Sequence, residues 1–140
     1  MAFYLQSFDT AVDTSDDIVL YIMSSLSNNG LPKEKCVKIQ LAIEEAIVNI
    51  CSYAYIHNFP ITSGEVIVEI NIDDNVYDIK LKDKGIAYNP LQYSDPAIWA
   101  PAESKDVGGL GIYLIKQMMD EVDYENDGDY NILKLKIIKN

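Results

Sequence analysis

Two alternating segments joined by a short turn constrain the fold of this sequence more than any other feature. Residues 76–83, Val-Tyr-Asp-Ile-Lys-Leu-Lys-Asp, alternate between apolar and polar side chains. This period of two predicts a β-strand with one face against a core and the other face toward water. A second strand is expected over 65–73, and Asp74-Asn75 between the two is typical of a tight hairpin turn. The pair predicts an antiparallel sheet with one covered face.

The remaining chain supplies the other strands and the helices. Apolar periodicity predicts strands over 3–9, 121–126 and 130–138 and helices over 12–28, 32–57 and 109–120. Residues 84–108 contain three prolines and show no period. A structureless stretch of this length within a compact domain is usually a lid or a binding loop. We therefore predict an α+β two-layer sandwich, in which a mixed, mostly antiparallel sheet of about five strands is covered on one face by the three helices.

The charge of the chain restricts its ligands. A length of 140 residues provides one domain, 1–140, with a formal net charge of −11. All eleven basic residues are lysines, and the sequence has no arginine, the residue that binds guanine and phosphate with paired hydrogen bonds. Nucleic acid is therefore not expected as a ligand, and any bound phosphate would need backbone amides, lysine or a metal ion. The alternative explanation is the base composition of the genome, because an AT-rich genome would equally give a protein rich in Ile, Lys, Asn and Tyr.

The sequence predicts a cytoplasmic protein without a membrane segment. Its first residues lack the basic and apolar regions of a signal peptide, and no run of about 18 apolar residues occurs. Cys36 and Cys51 lie on one predicted helix, about 22 Å apart, which is too far for a disulfide bond. We expect both cysteines to be buried as small apolar residues in a reducing compartment.

The second helix carries a polar stripe on an otherwise apolar surface, and its composition predicts a helix buried nearly all round. Glu45, Asn49 and Ser52 fall within about 60° of one another around the helix axis. Glu44 points about 100° away from Glu45, toward solvent or a helix edge. At this spacing, the amide oxygen of Asn49 can bind Mg²⁺ together with phosphate oxygens. The carboxylate of Glu45 can then act as a base. An internal hydrogen-bonded network or a partly exposed helix edge would explain the same residues.

Asp83 is a carboxylate on the covered face of a strand. It shares the parity of Tyr77, Ile79 and Leu81, so the alternation places it toward the helices. Gly85 follows two residues later, where the backbone must turn sharply or approach a ligand closely. An inward carboxylate at a strand end can accept a hydrogen bond from an amine such as that of adenine. The alternative is a turn cap, because Asp-x-Gly is common where strands end.

Three glycines precede the last predicted helix in the run Gly108-Gly109-Leu110-Gly111. Backbone amides at a helix N-terminus bind anions, and the helix dipole assists them. The run has neither the Lys-Ser/Thr of a phosphate-binding P-loop nor the third glycine and preceding strand of a dinucleotide fingerprint. A flexible entry to the helix is the alternative explanation.

Taken in order, these three motifs resemble the N, G1 and G2 boxes of the GHKL (Bergerat-fold) ATPase and kinase superfamily. The closer likeness is to the anti-sigma factor serine/threonine kinase family, whose members carry a compact version of this domain over the whole chain. The likeness extends over about residues 30–138 and includes the segments LAIEEAIVN (41–49), DKGIAYNPL (83–91) and GGLGIYLI (108–115). It implies the Bergerat ATP-binding fold, with ATP and Mg²⁺ as cofactors.

The resemblance also implies roles for individual residues. Asn49 would coordinate Mg²⁺, and Glu45 would orient or deprotonate the acceptor hydroxyl. Asp83 would recognise the adenine amine, and Gly85 would allow the base to approach. The remaining nucleotide-binding residues that it implies are Tyr53 after the N box, Lys105 in the lid, and the phosphate-binding run Gly108, Gly109, Leu110, Gly111 and Ile112.

The function implied by the resemblance is that of a protein kinase in a bacterial partner-switching system. Members of the family transfer the γ-phosphoryl group of ATP to a serine or threonine of a STAS-type anti-sigma factor antagonist. The same surface can sequester a sigma factor, usually with the kinase as a homodimer. A non-enzymatic module that uses bound ATP to grip a protein partner is a second hypothesis. A histidine-kinase catalytic domain is a third, although the sequence lacks a separate helix pair for the phospho-acceptor.

Two positions depart from the family's pattern. Tyr-Ala-Tyr at 53–55 stands where the family commonly has His-Ala-Tyr, and Val107 stands where an arginine often meets the phosphate or the partner. Lys105 can supply a point charge there but not a bidentate contact. The missing arginine is expected to affect the rate of phosphoryl transfer more than ATP binding. His57, the only histidine of the sequence, is expected at a helix end or on the surface.

Overall fold

Five strands and three helices are formed by residues 1–10, 13–51, 64–85 and 107–139, the part of the chain that the computed structural model describes. The elements are β1 (Ala2–Asp9), α1 (Ser15–Ser27), α2 (Lys33–Asn49), β2 (Glu65–Ile72), β3 (Val76–Asp83), α3 (Val107–Met118), β4 (Glu121–Asn126) and β5 (Asn131–Ile138). Every predicted strand is present. The predicted continuation of α2 toward residue 57 lies outside the described residues from 52 onward. Within the described ranges, no helix combines the length and the apolar character needed to cross a bilayer.

The strands form one sheet in the order β1-β2-β3-β5-β4. Each neighbouring pair is antiparallel, so the predicted α+β fold is confirmed with a fully antiparallel sheet over the described strands rather than a mixed one. Hairpins connect β2 to β3 and β4 to β5, and a hairpin can join only antiparallel strands. The central strand β3 lies between β2 and β5, and its last residue, Asp83, is directly opposite Asn131.

One face of the sheet is covered by the helices, as the alternation of β3 predicts. Tyr77, Ile79, Leu81 and Asp83 are buried, and the residues between them are only half-buried. Helices α1 and α3 both pack against α2. Buried side chains of all three helices join those of the sheet in one apolar core. Full burial of each large apolar side chain contributes about 1.5–3 kcal/mol.

The other face of the sheet carries charged residues in pairs. Lys80 Nζ lies 3.5 Å from a Glu69 carboxylate oxygen, and Lys134 Nζ lies 2.9 Å from Glu125. Among the described residues, four lysines form ion pairs on this face, namely Lys80, Lys82, Lys134 and Lys136. Such exposed pairs contribute little to stability. The four lysine side chains point away from the helix-covered face of the sheet.

Helix α1 begins and ends at specific caps. The Thr14 side chain accepts a hydrogen bond from Asp17 N–H, and the Asp17 carboxylate accepts one from Thr14 N–H at 2.9 Å. This capping box starts the helix at Ser15, so the start predicted at residue 12 is wrong. The chain leaves the helix through Gly30, whose φ of +90° lies in the left-handed region that favours glycine.

The prediction that α2 is buried nearly all round is wrong. Val37, Leu41 and Val48 are 69%, 45% and 39% exposed, and their spacing places them on one face of the helix. The helices form a single layer, so the face of α2 that points away from the sheet is left uncovered in the described part of the chain. Cys36 in the first turns of α2 and Cys51 just after its end are free thiols, as expected, but they are half-buried rather than buried.

Candidate functional site

Asp83 lies at the end of β3 on the helix-covered face and is 5% exposed. Its Oδ1 accepts hydrogen bonds from Gly85 N–H and from Asn131 Nδ2, both at 2.9 Å. Within the described residues, no donor contacts Oδ2. The bond from Gly85 is the turn cap that the sequence suggested as an alternative. Because it uses only Oδ1, the cap and a ligand-binding role for Oδ2 are compatible.

A row of polar side chains continues from Asp83 across the next two strands. Asn131, which is 4% exposed, lies opposite Asp83 and, on its other side, opposite Asn126. Its Nδ2 also donates to Gly85 O at 3.1 Å. Its Oδ1 accepts hydrogen bonds from Tyr124 Oη and Asn126 Nδ2, both at 2.8 Å. The carboxylate is therefore held by an amide that is itself held on both sides.

Sequence reasoning missed Asn131. A signal was present, because Asn131 shares the parity of the buried Leu133 and Leu135. An inward polar residue at a strand end is the same signal that singled out Asp83. The sequence alone did not show which residue lies opposite Asp83, since that depends on the pairing of two strands far apart in the chain.

The protonation of Asp83 depends on opposing influences. Burial raises the pKa of its carboxyl above the ordinary value, while the hydrogen bonds from Asn131 and Gly85 lower it. Burial is the larger influence, so the net direction is upward. Burial also raises the pKa of the Cys51 thiol, and the negative charge of Asp83 raises it further. An influence of this kind acts over short distances, so it indicates that the residues following α2 lie near the end of β3.

Asn49 and Glu45 lie one turn apart at the C-terminal end of α2. Asn49 is 7% exposed, and its Nδ2 has no hydrogen-bond partner within the described residues. Glu45 is half-buried. Glu44 is half-buried as well, and it accepts a hydrogen bond from the exposed Gln40 through Nε2 at 3.0 Å, toward the helix edge as predicted. A buried amide nitrogen without a partner costs free energy, and because Nδ2 is a donor, a ligand that completes it has to offer an acceptor such as a phosphate oxygen.

The glycine motif lies inside α3 rather than ahead of it. The helix begins at Val107 and not at the predicted residue 109, so Gly108, Gly109 and Gly111 occupy its first turns, followed by Ile112. A glycine costs only about 1 kcal/mol relative to alanine in a helix, and the packing of α3 against α2 can outweigh that cost. The first four amides of a helix have no acceptor within it, so this end remains suited to an anion.

Other predicted site residues lie outside the described part of the chain. These are Ser52, Tyr53, His57 and Lys105, together with residues 86–106 of the lid. The lid's first residue is described, and Lys84 Nζ lies 4.9 Å from the centre of the Tyr130 ring. A lysine thus accompanies Asp83 at the edge of the candidate site.

Among the described residues of this site, the side-chain oxygen of Asn49 is the group that could contribute to a magnesium ion bound together with phosphate. In the described ranges, no three His, Cys, Asp or Glu side chains come together in a way that could hold a metal ion by themselves. Mg²⁺ bound to a nucleotide needs no such cluster, because phosphate oxygens and water supply most of its ligands. The side-chain oxygen of Asn49 is a hard donor of the kind that Mg²⁺ prefers.

The sequence matches the histidine kinase-like ATPase domain family over residues 9–137. The chain belongs to this family. The matched range includes Glu45 and Asn49 on α2, Asp83 on β3 and the glycines of α3. The resemblance drawn from the three motifs is therefore confirmed at the level of the family.

Several relatives of this histidine kinase-like ATPase domain are protein kinases. The serine-protein kinase RsbW of Bacillus thuringiensis (strain Al Hakam) is 26% identical over 127 residues, covering 87% of this chain and 77% of RsbW. The RsbW proteins of Bacillus cereus (strain 03BB102) and Bacillus mycoides (strain KBAB4) match at the same 26% identity and coverage.

A solved structure supports the fold. The structure of the RsbU and RsbW domains of Rv1364c from Mycobacterium tuberculosis aligns with a TM-score of 0.62 at 11% identity, covering 98% of this chain and 32% of that chain. This chain therefore spans about a third of the solved one. At this identity the likeness concerns the fold alone.

Proposed function

We propose that this chain is an ATP-dependent protein serine/threonine kinase of the anti-sigma factor type. The observation that carries the proposal is the occurrence of two incompletely partnered polar side chains where α2 and β3 end. Within the described residues, Asp83 Oδ2 has no donor and Asn49 Nδ2 has no partner, although both residues are buried. A nucleotide offers an amine and metal-bound phosphates to such a site. The relatives named serine-protein kinase support phosphoryl transfer as the reaction.

The base and the phosphates would bind to different elements. Asp83 Oδ2 would accept a hydrogen bond from the exocyclic amine of adenine, and Gly85, without a side chain, would leave room for the base. The phosphates would lie against the N-terminal amides of α3, around Gly109 and Gly111, where the helix dipole favours negative charge. Lys105 would add a point charge from the lid of a single ATP-binding domain. The lid was predicted over 84–108, but Val107 and Gly108 belong to α3, so we propose that it ends before Val107.

Asn49 and Glu45 would serve the transfer itself. Asn49 would hold Mg²⁺ through its side-chain oxygen, and the bound ion would neutralise charge on the phosphates. Glu45, one turn earlier, would orient the acceptor hydroxyl or accept its proton. Because the chain has no arginine, backbone amides, lysine and the Mg²⁺ site would share the stabilisation of the transferred group.

The substitution Glu45→Gln tests this assignment by separating binding from transfer. It keeps the size of the side chain and removes its charge, so we expect ADP affinity to change by less than about twofold and transfer to fall by about 100-fold or more. Calorimetry with ADP and Mg²⁺ measures the first quantity, and transfer of labelled phosphate to a STAS-type protein measures the second. Glu44→Gln is the matched control, since Glu44 bonds to Gln40 on the exposed edge. Equal losses in the two variants would contradict the role of Glu45.

The proposed partners follow from the same resemblance. The phosphoryl acceptor would be a serine or threonine of a STAS-type anti-sigma factor antagonist, and a sigma factor would be a second partner of a homodimeric kinase in the cytoplasm. The first acceptor to test is a STAS-type protein from the same organism. Replacing its acceptor serine by alanine should abolish labelling and leave the complex with the kinase intact.

A non-enzymatic ATP-binding module is the second candidate function. The observation that favours it is the absence of arginine, including Val107 where the family often has one. A positioned arginine can raise the rate of phosphoryl transfer by about 10³–10⁵ in other enzymes. Binding of ATP and of the protein partner without any transfer would support the module and contradict the kinase.

A further inference from the structure

We propose that the protein has a second ligand site, at the end of the sheet away from Asp83, for a small anion that carries an apolar group. A cavity of about 330 Å³ lies where the turn between α1 and α2 meets the first residues of β3 and the last residues of β5. Tyr77 lines this cavity, and Asp83 lies six positions further along β3, about 20 Å away at the rise of a strand. The cavity is therefore distinct from the candidate nucleotide site.

The charge of the cavity wall is opposite to the net charge of the chain. Lys35 in the first turn of α2 and Lys139 after β5 line the cavity, and both are half-buried. Its lining residues in the described part of the chain include neither aspartate nor glutamate. The sequence has 22 acidic and 11 basic residues, so a wall with two cations and no carboxylate runs against the overall charge. Such a wall attracts a ligand with negative charge.

Neither lysine forms an ion pair with a residue that the structure describes. The four paired lysines of the outer sheet face, by contrast, lie 2.9–4.0 Å from carboxylate oxygens. Lys139 Nζ instead donates to Asp73 O at 2.6 Å and lies 4.6 Å from the centre of the Tyr77 ring. An ammonium group has three hydrogens to donate, so these contacts leave both charge and donors for a ligand.

Two carboxylates lie close to these lysines along the chain or in space, but neither lines the cavity. Asp73 Oδ1 accepts hydrogen bonds from Asn75 N–H at 2.6 Å and Val76 N–H at 2.8 Å, so it caps its own turn. These two backbone bonds lower the pKa of the Asp73 carboxyl more than the charge of Lys139 does. Glu34 is exposed, and its position on α2 is about 100° around the axis from Lys35. A ligand would therefore not compete with an existing ion pair.

The rest of the wall suits a compact apolar group. Pro32, which is half-buried, and Ile138, which is 39% exposed, present apolar surface beside the lysines. Tyr77 is held in place because its Oη donates to Asn29 O at 3.1 Å, and Asn29 Nδ2 donates in turn to Tyr4 Oη at 2.8 Å. The cavity volume lies at the lower end of the range for small-molecule sites. A phosphate or carboxylate joined to one ring or a short alkyl chain matches both its charge and its size.

Titration of the ¹⁵N-labelled protein with phenyl phosphate tests the proposal, followed by the NMR signals of the backbone amides. We expect saturable shifts of residues around the cavity, such as Gly30, Lys35 and Tyr77, with a dissociation constant of about 1 mM. Phenol lacks the charge and inorganic phosphate lacks the ring, so each should bind at least about fivefold more weakly. Neither ADP nor Mg²⁺ is added, so the result does not depend on the proposed nucleotide function.

Two variants and a matched control show whether the lysines of the cavity are responsible. Lys35→Gln and Lys139→Gln each remove one positive charge, and each should weaken phenyl phosphate by about three- to tenfold. Lys33→Gln is the control, because Lys33 is an exposed lysine of the same helical turn that does not line the cavity. It should change the affinity by less than about 1.5-fold. If thermal unfolding shows that K139Q does not fold, K35Q decides, since the Lys35 side chain has no ion pair within the described residues.

Each contrary outcome overturns a stated part of the proposal. Equal weakening in K33Q and K35Q would show general attraction to the positive end of α2 and would overturn the cavity as the site. Phenol bound as tightly as phenyl phosphate would overturn the anionic ligand, and inorganic phosphate bound as tightly would overturn the apolar group. Shifts that are confined to α3 or that do not saturate would overturn the second site altogether. The proposed kinase function would stand after any of these results.

Discussion

At the scale of single residues, the protonation of Asp83 should couple nucleotide binding to pH. Burial raises its pKa above the ordinary aspartate value, so the ionised form, which we propose accepts the amine of the base, is lost as the pH falls through this raised pKa. ADP affinity should be constant near neutral pH and should decline on acidification at a higher pH than an ordinary aspartate would give. Titration of the ADP dissociation constant between about pH 8 and pH 5 measures this decline.

Two variants show which residue is responsible for the decline. Asn131→Leu removes a hydrogen bond that lowers the pKa of Asp83, so the decline should begin at a higher pH. Asp83→Asn has no carboxyl to titrate, so its weaker binding should lack this decline. The half-buried Cys51 thiol is the neighbouring titratable group, and its raised pKa keeps it neutral in this range. Identical pH profiles in all three proteins would rule out Asp83 as the titrating group.

Cys51 provides an independent measure of the charge on Asp83. Burial raises the pKa of Cys51, and the Asp83 carboxylate raises it further. Removing that charge in Asp83→Asn should lower the thiol pKa, so alkylation by iodoacetamide near pH 8 should become a few times faster. A Cys36→Ser background leaves Cys51 as the only thiol. An unchanged or slower rate would show that α2 and β3 do not end close together.

At the scale of elements, the sequence predicted the strands and their buried faces better than it predicted where the helices begin. The strict period of two gave the bounds of β3 and the inward direction of Asp83. The start of α1 depended on a capping box at Thr14, and the start of α3 depended on packing that outweighs the helix-breaking tendency of glycine. The burial of α2 was overestimated, because an apolar composition does not show how many layers cover a helix.

The candidate site shows the same division. The buried positions of Asp83 and Asn49 could be predicted because local periodicity places an inward polar residue on a strand and on a helix. Asn131 could not be assigned a role from the sequence, since its contact with Asp83 arises from the pairing of β3 with β5. Interactions between residues distant in sequence are set by the topology of the sheet, which periodicity alone does not specify.

The turn that follows α1 yields a prediction about an element boundary. Gly30 has a φ of +90°, and a Cβ at this position would meet only Tyr77 Oη, at an ordinary 3.9 Å. Gly30→Ala should therefore lower the free energy of unfolding by about 1 kcal/mol through backbone strain alone. Gly30→Asn should cost less, because asparagine tolerates this conformation. Urea unfolding measures both, and an alanine variant as stable as the unaltered protein would disagree with the left-handed turn.

At the scale of the whole molecule, the order of the strands leaves β1 at an edge of the sheet. Among the described strands β1 pairs only with β2. Its sequence, AFYLQSFD, contains neither lysine nor proline, the residues that commonly protect an edge strand from further pairing. Phe3 and Leu5 are each 57% exposed on the face opposite the helices. These features favour the β1 edge as the place where a second copy of the chain would add its own β1.

The substitution Leu5→Lys tests this arrangement of the proposed homodimer. Antiparallel pairing of two β1 strands about a two-fold axis would place Phe3 and Leu5 of one copy near those of the other. A lysine at position 5 brings like charges together, so light scattering after size-exclusion chromatography should show the mass fall from dimer to monomer. Leu20→Lys is the control, since Leu20 is 66% exposed on α1 in the helical layer. Loss of the dimer in L20K but not in L5K would move the interface to the helices, and a monomeric unaltered protein would remove the homodimer from the proposal.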